Sequence, residues 1–303
     1  MHRNSVVLLA GCVLALFCAR LAAQQEVIVY GANTPEWNKK LGTTATRGAC
    51  SLAVDECLKR VDDALNSQHT SRYYLNLAGD MPQIAREAAQ YSEKSRSHAG
   101  LYELGIDDFY GKFNKWCRAE GPKECEQQLG AVIRAVKSGN PKLKFGVTVY
   151  EDEVDKFVAD RSIPNGFRRD IDVIHLYLHF RQNEKGLSSF VSQLKSGFPN
   201  SQIIIGLYPY DRVELAPCKQ NGTSRCTAAD DNAYFLNSLK TAIRMSKAGE
   251  VAGIEFYPGN FGTVEQWAGW QNPKVCSSGR QEECIRNTKT MHDAIANTIA
   301  NSH

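Results

Sequence analysis

Leu143-Lys144-Phe145-Gly146-Val147-Thr148-Val149-Tyr150 and, a little further on, Asp172-Val173-Ile174-His175-Leu176-Tyr177-Leu178-His179 decide the fold class. Both runs are short and rich in branched residues. In a strand successive side chains face opposite ways. Val147 and Val149, like Ile174, Leu176 and Leu178, then share an aliphatic face. Gly146, Thr148 and Tyr150, like His175, Tyr177 and His179, share a small or polar one. Five further runs of this kind lie at 27–31, 73–78, 101–107, 203–208 and 252–257. Helical patterns separate them, at 52–65, 82–97, 122–138, 187–196, 231–248 and 283–300. Pro82 and Pro122 suit a first helical position, and Gly139-Asn140-Pro141 is a stop signal. Regular strand–helix succession predicts a parallel sheet with helices outside. The length after a removable leader, about 280 residues, is that of one α/β barrel of the (β/α)8 TIM type. Seven strands are clear. The eighth is expected in 32–71 or 210–250, unless the barrel is distorted or incomplete. No Gly-x-Gly-x-x-Gly turn follows the first strand, which disfavours a dinucleotide fold.

The N-terminus predicts export. Arg3 precedes an apolar run over 6–17, and Leu21-Ala22-Ala23 stands before Gln24-Gln25. That is the charged, apolar, small-residue order of a signal peptide, expected over 1–23, with one barrel domain over 24–303. The run is too short to span a bilayer, which takes about 20 apolar residues. Leu9-Ala10-Gly11-Cys12 offers the rival reading of a lipoprotein cleavage box. Loss of Arg3 and Arg20 lowers the formal charge of +3 by two, to +1. A near-neutral chain makes no electrostatic case for nucleic acid. The expected location is extracellular, the expected state a monomer, with no membrane partner.

Ten cysteines are present, and Cys12 and Cys18 would leave with the leader. The other eight fall into close couples, Cys50/Cys57, Cys117/Cys125, Cys218/Cys226 and Cys276/Cys284, each near a helix entrance. An even count in an exported chain reads as disulfides, and the clustering favours four local bonds. Zinc sites use tighter Cys spacing with matching histidines, so no metal is expected. Asn221-Gly222-Thr223 is a glycosylation sequon.

The strand interiors carry the functional signal. Beside the two polar faces already named stand Glu103, Gly105 and Asp107, then Gly206, Tyr208 and Tyr210, then Gly253, Glu255 and Tyr257. Barrel interiors are ordinarily filled by branched apolar residues, and barrel enzymes place their sites at the C-terminal strand ends. A lining of acids, tyrosines and histidines at those ends points to chemistry rather than packing. Asp107-Asp108 closes one strand. Adjacent carboxylates repel, which separates an acid role from a charge-stabilising one; the bland reading is a helix cap. Glu255 faces inward from a late strand. Glu151-Asp152-Glu153 adds acids, and reads better as the first turn of a helix. Tyr150, Tyr177, His179, Tyr208, Tyr210, Tyr257 and Trp37 are the candidate sugar contacts, since flat rings with polar edges suit sugar faces. His175 and His179 lie four strand residues apart, about 13 Å, too far to share an ion readily. No Gly-x-Ser-x-Gly elbow occurs.

Gly105-Ile106-Asp107-Asp108-Phe109, set in this strand order, resembles the (β/α)-barrel glycoside hydrolases that close a central strand with an Asp-Asp pair. The resemblance implies a secreted glycosidase that needs no cofactor. In such enzymes acting on N-acetylated sugars the substrate amide serves as nucleophile. Asp107 would then orient that amide and Asp108 would be the general acid/base. Adjacent strand residues face opposite ways, so this assignment requires the strand to end at the pair; otherwise Glu255 is the better second carboxylate. The alternative is a carbohydrate-binding, lectin-like barrel that keeps the aromatics and needs no catalytic acid.

Overall fold

The computed structural model describes residues 25–209, 219–220, 224–225, 228–259, 261–263 and 281–302. Eight strands form a closed barrel: β1 (Glu26–Tyr30), β2 (Ala45–Ala49), β3 (Arg72–Leu77), β4 (Leu101–Ile106), β5 (Lys144–Tyr150), β6 (Val173–Tyr177), β7 (Gln202–Leu207) and β8 (Gly253–Phe256). Each pairs in parallel with its successor, and β8 returns to β1. The fold is an α/β TIM barrel, as the alternation predicts. The strand missing from the sequence pattern is β2, inside 32–71. Ala45-Thr46-Arg47-Gly48-Ala49 has no branched apolar residue to mark it, yet its first four positions are buried.

The helices around it are α1 (Pro35–Leu41), α2 (Val54–Gln68), α3 (Met81–Lys94), α4 (Phe109–Glu120), α5 (Pro122–Ser138), α6 (Val154–Ala159), α7 (Asn165–Asp170), α8 (Leu187–Gly197), α9 (Ala228–Lys247) and α10 (Gln281–Ala300). Helix α3 starts one residue before Pro82, because Asp80 caps it by accepting from the Gln83 N–H at 2.8 Å. The aliphatic strand faces turn outward. Leu75, Leu104, Ile106, Val147, Val149, Ile174, Leu176, Ile203, Ile205, Ile254 and Phe256 join the helix residues in one buried cluster. Inside the barrel a second, small cluster of Ile28, Ala45, Tyr74, Val173 and Ile204 forms an apolar layer. The polar lining begins beyond it, toward the C-terminal strand ends.

Two of the expected disulfides are formed. Cys50–Cys57 ties the end of β2 to α2, with Cα atoms 5.8 Å apart. Cys117–Cys125 ties α4 to α5, at 5.1 Å. Such short loops contribute about 2 kcal/mol each. Cys218, Cys226 and Cys276 lie outside the described residues, as do the side chain of Cys284, residues 1–24 with the expected leader, and the sequon at Asn221. Among the described residues no helix is long and apolar enough to cross a membrane.

Candidate active site

The lowest polar layer is a buried ion network. Arg47 of β2, Glu103 of β4, His175 of β6 and Glu255 of β8 each have essentially no exposure. Arg47 Nη1 donates to both Glu255 oxygens at 3.1 Å. Its remaining nitrogens reach Asn76 Oδ1 at 2.8 and 3.2 Å and Thr148 Oγ1 at 2.6 Å. His175 bridges the two acids, with Nδ1 2.5 Å from Glu255 Oε2 and Nε2 3.0 Å from Glu103 Oε1. A neutral imidazole has one N–H; a carboxylate at each nitrogen calls for the imidazolium. Burial and the Arg47 charge push the His175 pKa down, and the two glutamates outweigh both, leaving it raised. For Glu255, burial pushes up, while Arg47, His175 and the Tyr177 hydroxyl pull harder and hold it at about 2. Two cations against two anions make the set electrically neutral, which is how a buried charge is tolerated. Glycine makes the room: a Cβ on Gly146 would stand 2.1 Å from Glu103 Oε1, and one on Gly206 2.5 Å from the Tyr177 ring.

Above this layer the strands end in tyrosines. The Tyr177 hydroxyl donates down to Glu255 Oε1 at 2.5 Å. Its ring lies 5.3 Å from Tyr208 and 6.4 Å from Tyr257. Tyr208 and Tyr257 are 5.9 Å apart, and Tyr257 meets Tyr30 edge-on at 4.6 Å. Tyr150 packs against the Tyr177–Tyr208 pair. Burial first, and then Asp107, raises the pKa values of Tyr208 and Tyr257. For Tyr30, burial outweighs the opposing Arg47 charge and gives about 12. These hydroxyls stay protonated near neutral pH.

Asp107 shares the inward parity of Glu103 and Gly105 and is half-buried beside this collar. Asp108 would face the helices if β4 continued. Strand β4 instead ends at Ile106, and Asp108 adopts φ 49° and ψ 44°, the left-handed region. Asp tolerates that region better than most residues. The turn lets the Tyr150 hydroxyl donate to Asp108 Oδ1. Asp108 occupies the cap position of α4, yet its side chain makes no capping bond.

The remaining candidates divide. His179 stands at the collar's edge, 5.2 Å from the Tyr150 ring. Glu255 lies beneath the collar, not on its rim. Trp37, half-buried in the first turn of α1, packs against Phe261 at 5.6 Å and His292 at 5.9 Å. Tyr210 lies outside the described residues. Glu151 is buried, not a rim acid. It accepts from the backbone N–H groups of His179 and Phe180 at 2.5 and 2.8 Å and from Asn183 at 2.9 Å, clamping β5 to the loop after β6. Burial outweighs those donors and brings it to about 7. Tyr30, Arg47 and Asn76 are site residues that sequence reading passes over, Arg47 because its strand carries no periodic signal.

No protein-family model and no curated protein matches the chain. Solved structures do. The fold is similar to an exo-β-1,4-mannosidase from Opitutaceae bacterium strain TAV5, with TM-score 0.54 and 10% identity over 90% of this chain and 60% of that one. It is similar to a glycoside hydrolase family 5 enzyme from Prevotella bryantii B14, with TM-score 0.51 and 11% identity over 93% and 98%. A family 53 glycoside hydrolase catalytic domain from Ignisphaera aggregans gives TM-score 0.50 and 13% identity over 78% and 82%. The chain thus has the closed parallel barrel of these glycoside hydrolases and spans 60% of the length of the mannosidase. At these identities the likeness is one of fold.

Proposed function

We propose that this protein is a secreted enzyme that hydrolyses a glycosidic bond within the tyrosine collar, with Asp108 as general acid/base and Asp107 as its anionic partner. The left-handed turn at Asp108 carries this reading. It brings two consecutive carboxylates to one rim at the C-terminal strand ends, where barrel enzymes work. Glu255 suits the second role less well, since Arg47, His175 and Tyr177 already take its oxygens. Cleavage needs a proton for the leaving oxygen and a nucleophile or anion for the developing oxocarbenium charge. On an N-acetylated sugar the amide oxygen forms the new bond to the anomeric carbon while the glycosidic C–O bond breaks. Asp107 accepts from the amide N–H, and the proton of Asp108 goes to the departing oxygen with the bond's electron pair. Water then opens the intermediate, giving its proton back to Asp108. The tyrosine faces bury the sugar's C–H surface.

The test is hydrolysis of a panel of aryl glycosides that includes N-acetylated sugars. Asp108→Asn keeps the side chain's size and should lower turnover by about 100-fold or more, with sugar binding retained. Full activity in Asp108→Asn would overturn the acid/base assignment, and full activity in Asp107→Asn as well would overturn the whole mechanism. Sugar binding with no turnover across the panel would favour the lectin-like barrel instead.

A further inference from the structure

Asp108 is exposed, and a carboxyl on a turn would ordinarily sample several side-chain orientations. Its Oδ1 atom is nonetheless held by the Tyr150 hydroxyl. The barrel register explains the encounter. Gly105 pairs with Gly146 and Ile106 with Val147, so a continued β4 would bring Asp108 level with Val149, on the outward face. The turn at Asp108 moves its carboxyl to the side where Tyr150 stands. Tyr150 is itself placed from three directions. It ends β5 in register with Tyr177, its ring packs on His179 at 5.2 Å, and its N–H donates to Glu153 Oε2 at 3.4 Å. Burial first, then Tyr208 and Asp108, raise its pKa, so the hydroxyl keeps its proton through the working range.

We propose that Tyr150 is the positioning residue of the acid/base: it occupies Oδ1 of Asp108 and leaves Oδ2 as the oxygen that delivers and recovers the proton. This rests on Asp108 as acid/base. The arrangement serves both halves of the cycle. When Asp108 is protonated on Oδ2, Oδ1 is a carbonyl oxygen that accepts from Tyr150. When Asp108 is ionised, Oδ1 is half of a carboxylate and accepts from it still. The proton moves between Oδ2 and the sugar oxygen, and the Tyr150 proton stays where it is.

The experiment measures kcat/KM for Tyr150→Phe on aryl glycosides of the sugar that the wild-type protein cleaves fastest, over leaving groups from 2,4-dinitrophenol to 4-methoxyphenol. Dinitrophenolate departs with little help from a proton, and methoxyphenol needs it. The variant should lose about 3-fold or less on the first and about 30-fold or more on the second, mostly in kcat. In an Asp108→Asn background the same change should cost less than about 2-fold, because the group it positions is gone. A loss equal for all leaving groups, a loss confined to KM, or losses that add in the double variant would overturn the inference and leave the acid/base reading standing. Full activity in Asp108→Asn, or no turnover of any aryl glycoside by the wild-type protein, would instead sink that reading and this inference with it.

Discussion

At the scale of single residues, three acids of similar sequence appearance are set apart by their surroundings. Glu255 is surrounded by donors and held ionised at about 2. Glu151 is buried with neutral donors, at about 7. Asp108 stands on an exposed turn with one tyrosine hydroxyl. An acid that must both give and take a proton cannot be one whose charged form is locked in by a guanidinium. Their substitutions should separate accordingly. Glu255→Gln leaves Arg47 buried without its anion, so it should cost about 3–5 kcal/mol. That corresponds to a fall in melting temperature of roughly 10 °C for a domain this size. Asp108→Asn, on an exposed turn, should shift stability by less than about 1 kcal/mol. Thermal melts of the two variants check the contrast; a stable Glu255→Gln protein would show that the ion network is not what holds the barrel centre.

At the scale of elements, the strands carry two messages on alternate residues. The outward face packs the helices and the inward face builds the network. The glycines belong to the inward message. Gly146 and Gly206 sit in strands where glycine loses packing and entropy, and each yields its volume to a large side chain on the adjacent strand. Gly146→Ala should therefore destabilise by about 1–3 kcal/mol through forced displacement of Glu103, although the added methyl is apolar and buried. Denaturant unfolding would show it as a lower midpoint. An unchanged midpoint would mean that Glu103 can move freely, contrary to its contact with His175.

At the scale of the whole molecule, the neutral network couples barrel closure to pH. It joins β2, β4, β6 and β8, and so spans the barrel's full circumference. The folded His175 pKa is raised above its unfolded value of about 6.5. Its contribution to stability is thus fully present below about pH 6.5 and is lost as pH rises through the folded value. Glu255 works in the other direction. Its folded pKa of about 2 lies below its ordinary 4.5, so its contribution is present above pH 4.5 and lost as pH falls toward 2. Stability should peak between these limits and decline on both sides. Melting temperature against pH checks this, and His175→Gln should remove the alkaline dependence that His175 supplies.

Seven of the eight strands and the polar lining are legible in the chain, because inside–outside alternation is a local property that a few consecutive residues reveal. The two local disulfides are legible for the same reason, their partners being seven and eight residues apart. Strand β2 is not, since small and polar residues carry no periodic apolar signal; only pairing with β1 and β3 makes it a strand. With it went Arg47, whose partner Glu255 is 208 positions away, a separation that no pattern along the chain encodes. The Asp107-Asp108 pair is visible as a sequence, but a strand that continued would have parted its carboxylates. Trp37 is visible as an aromatic, but its contacts with Phe261 and His292 come only with the tertiary fold. Local alternation sets which residues face inward. Which acid becomes a sealed counter-ion and which stays at the rim is decided by closure of the barrel, because only closure brings distant donors and charges within hydrogen-bonding range.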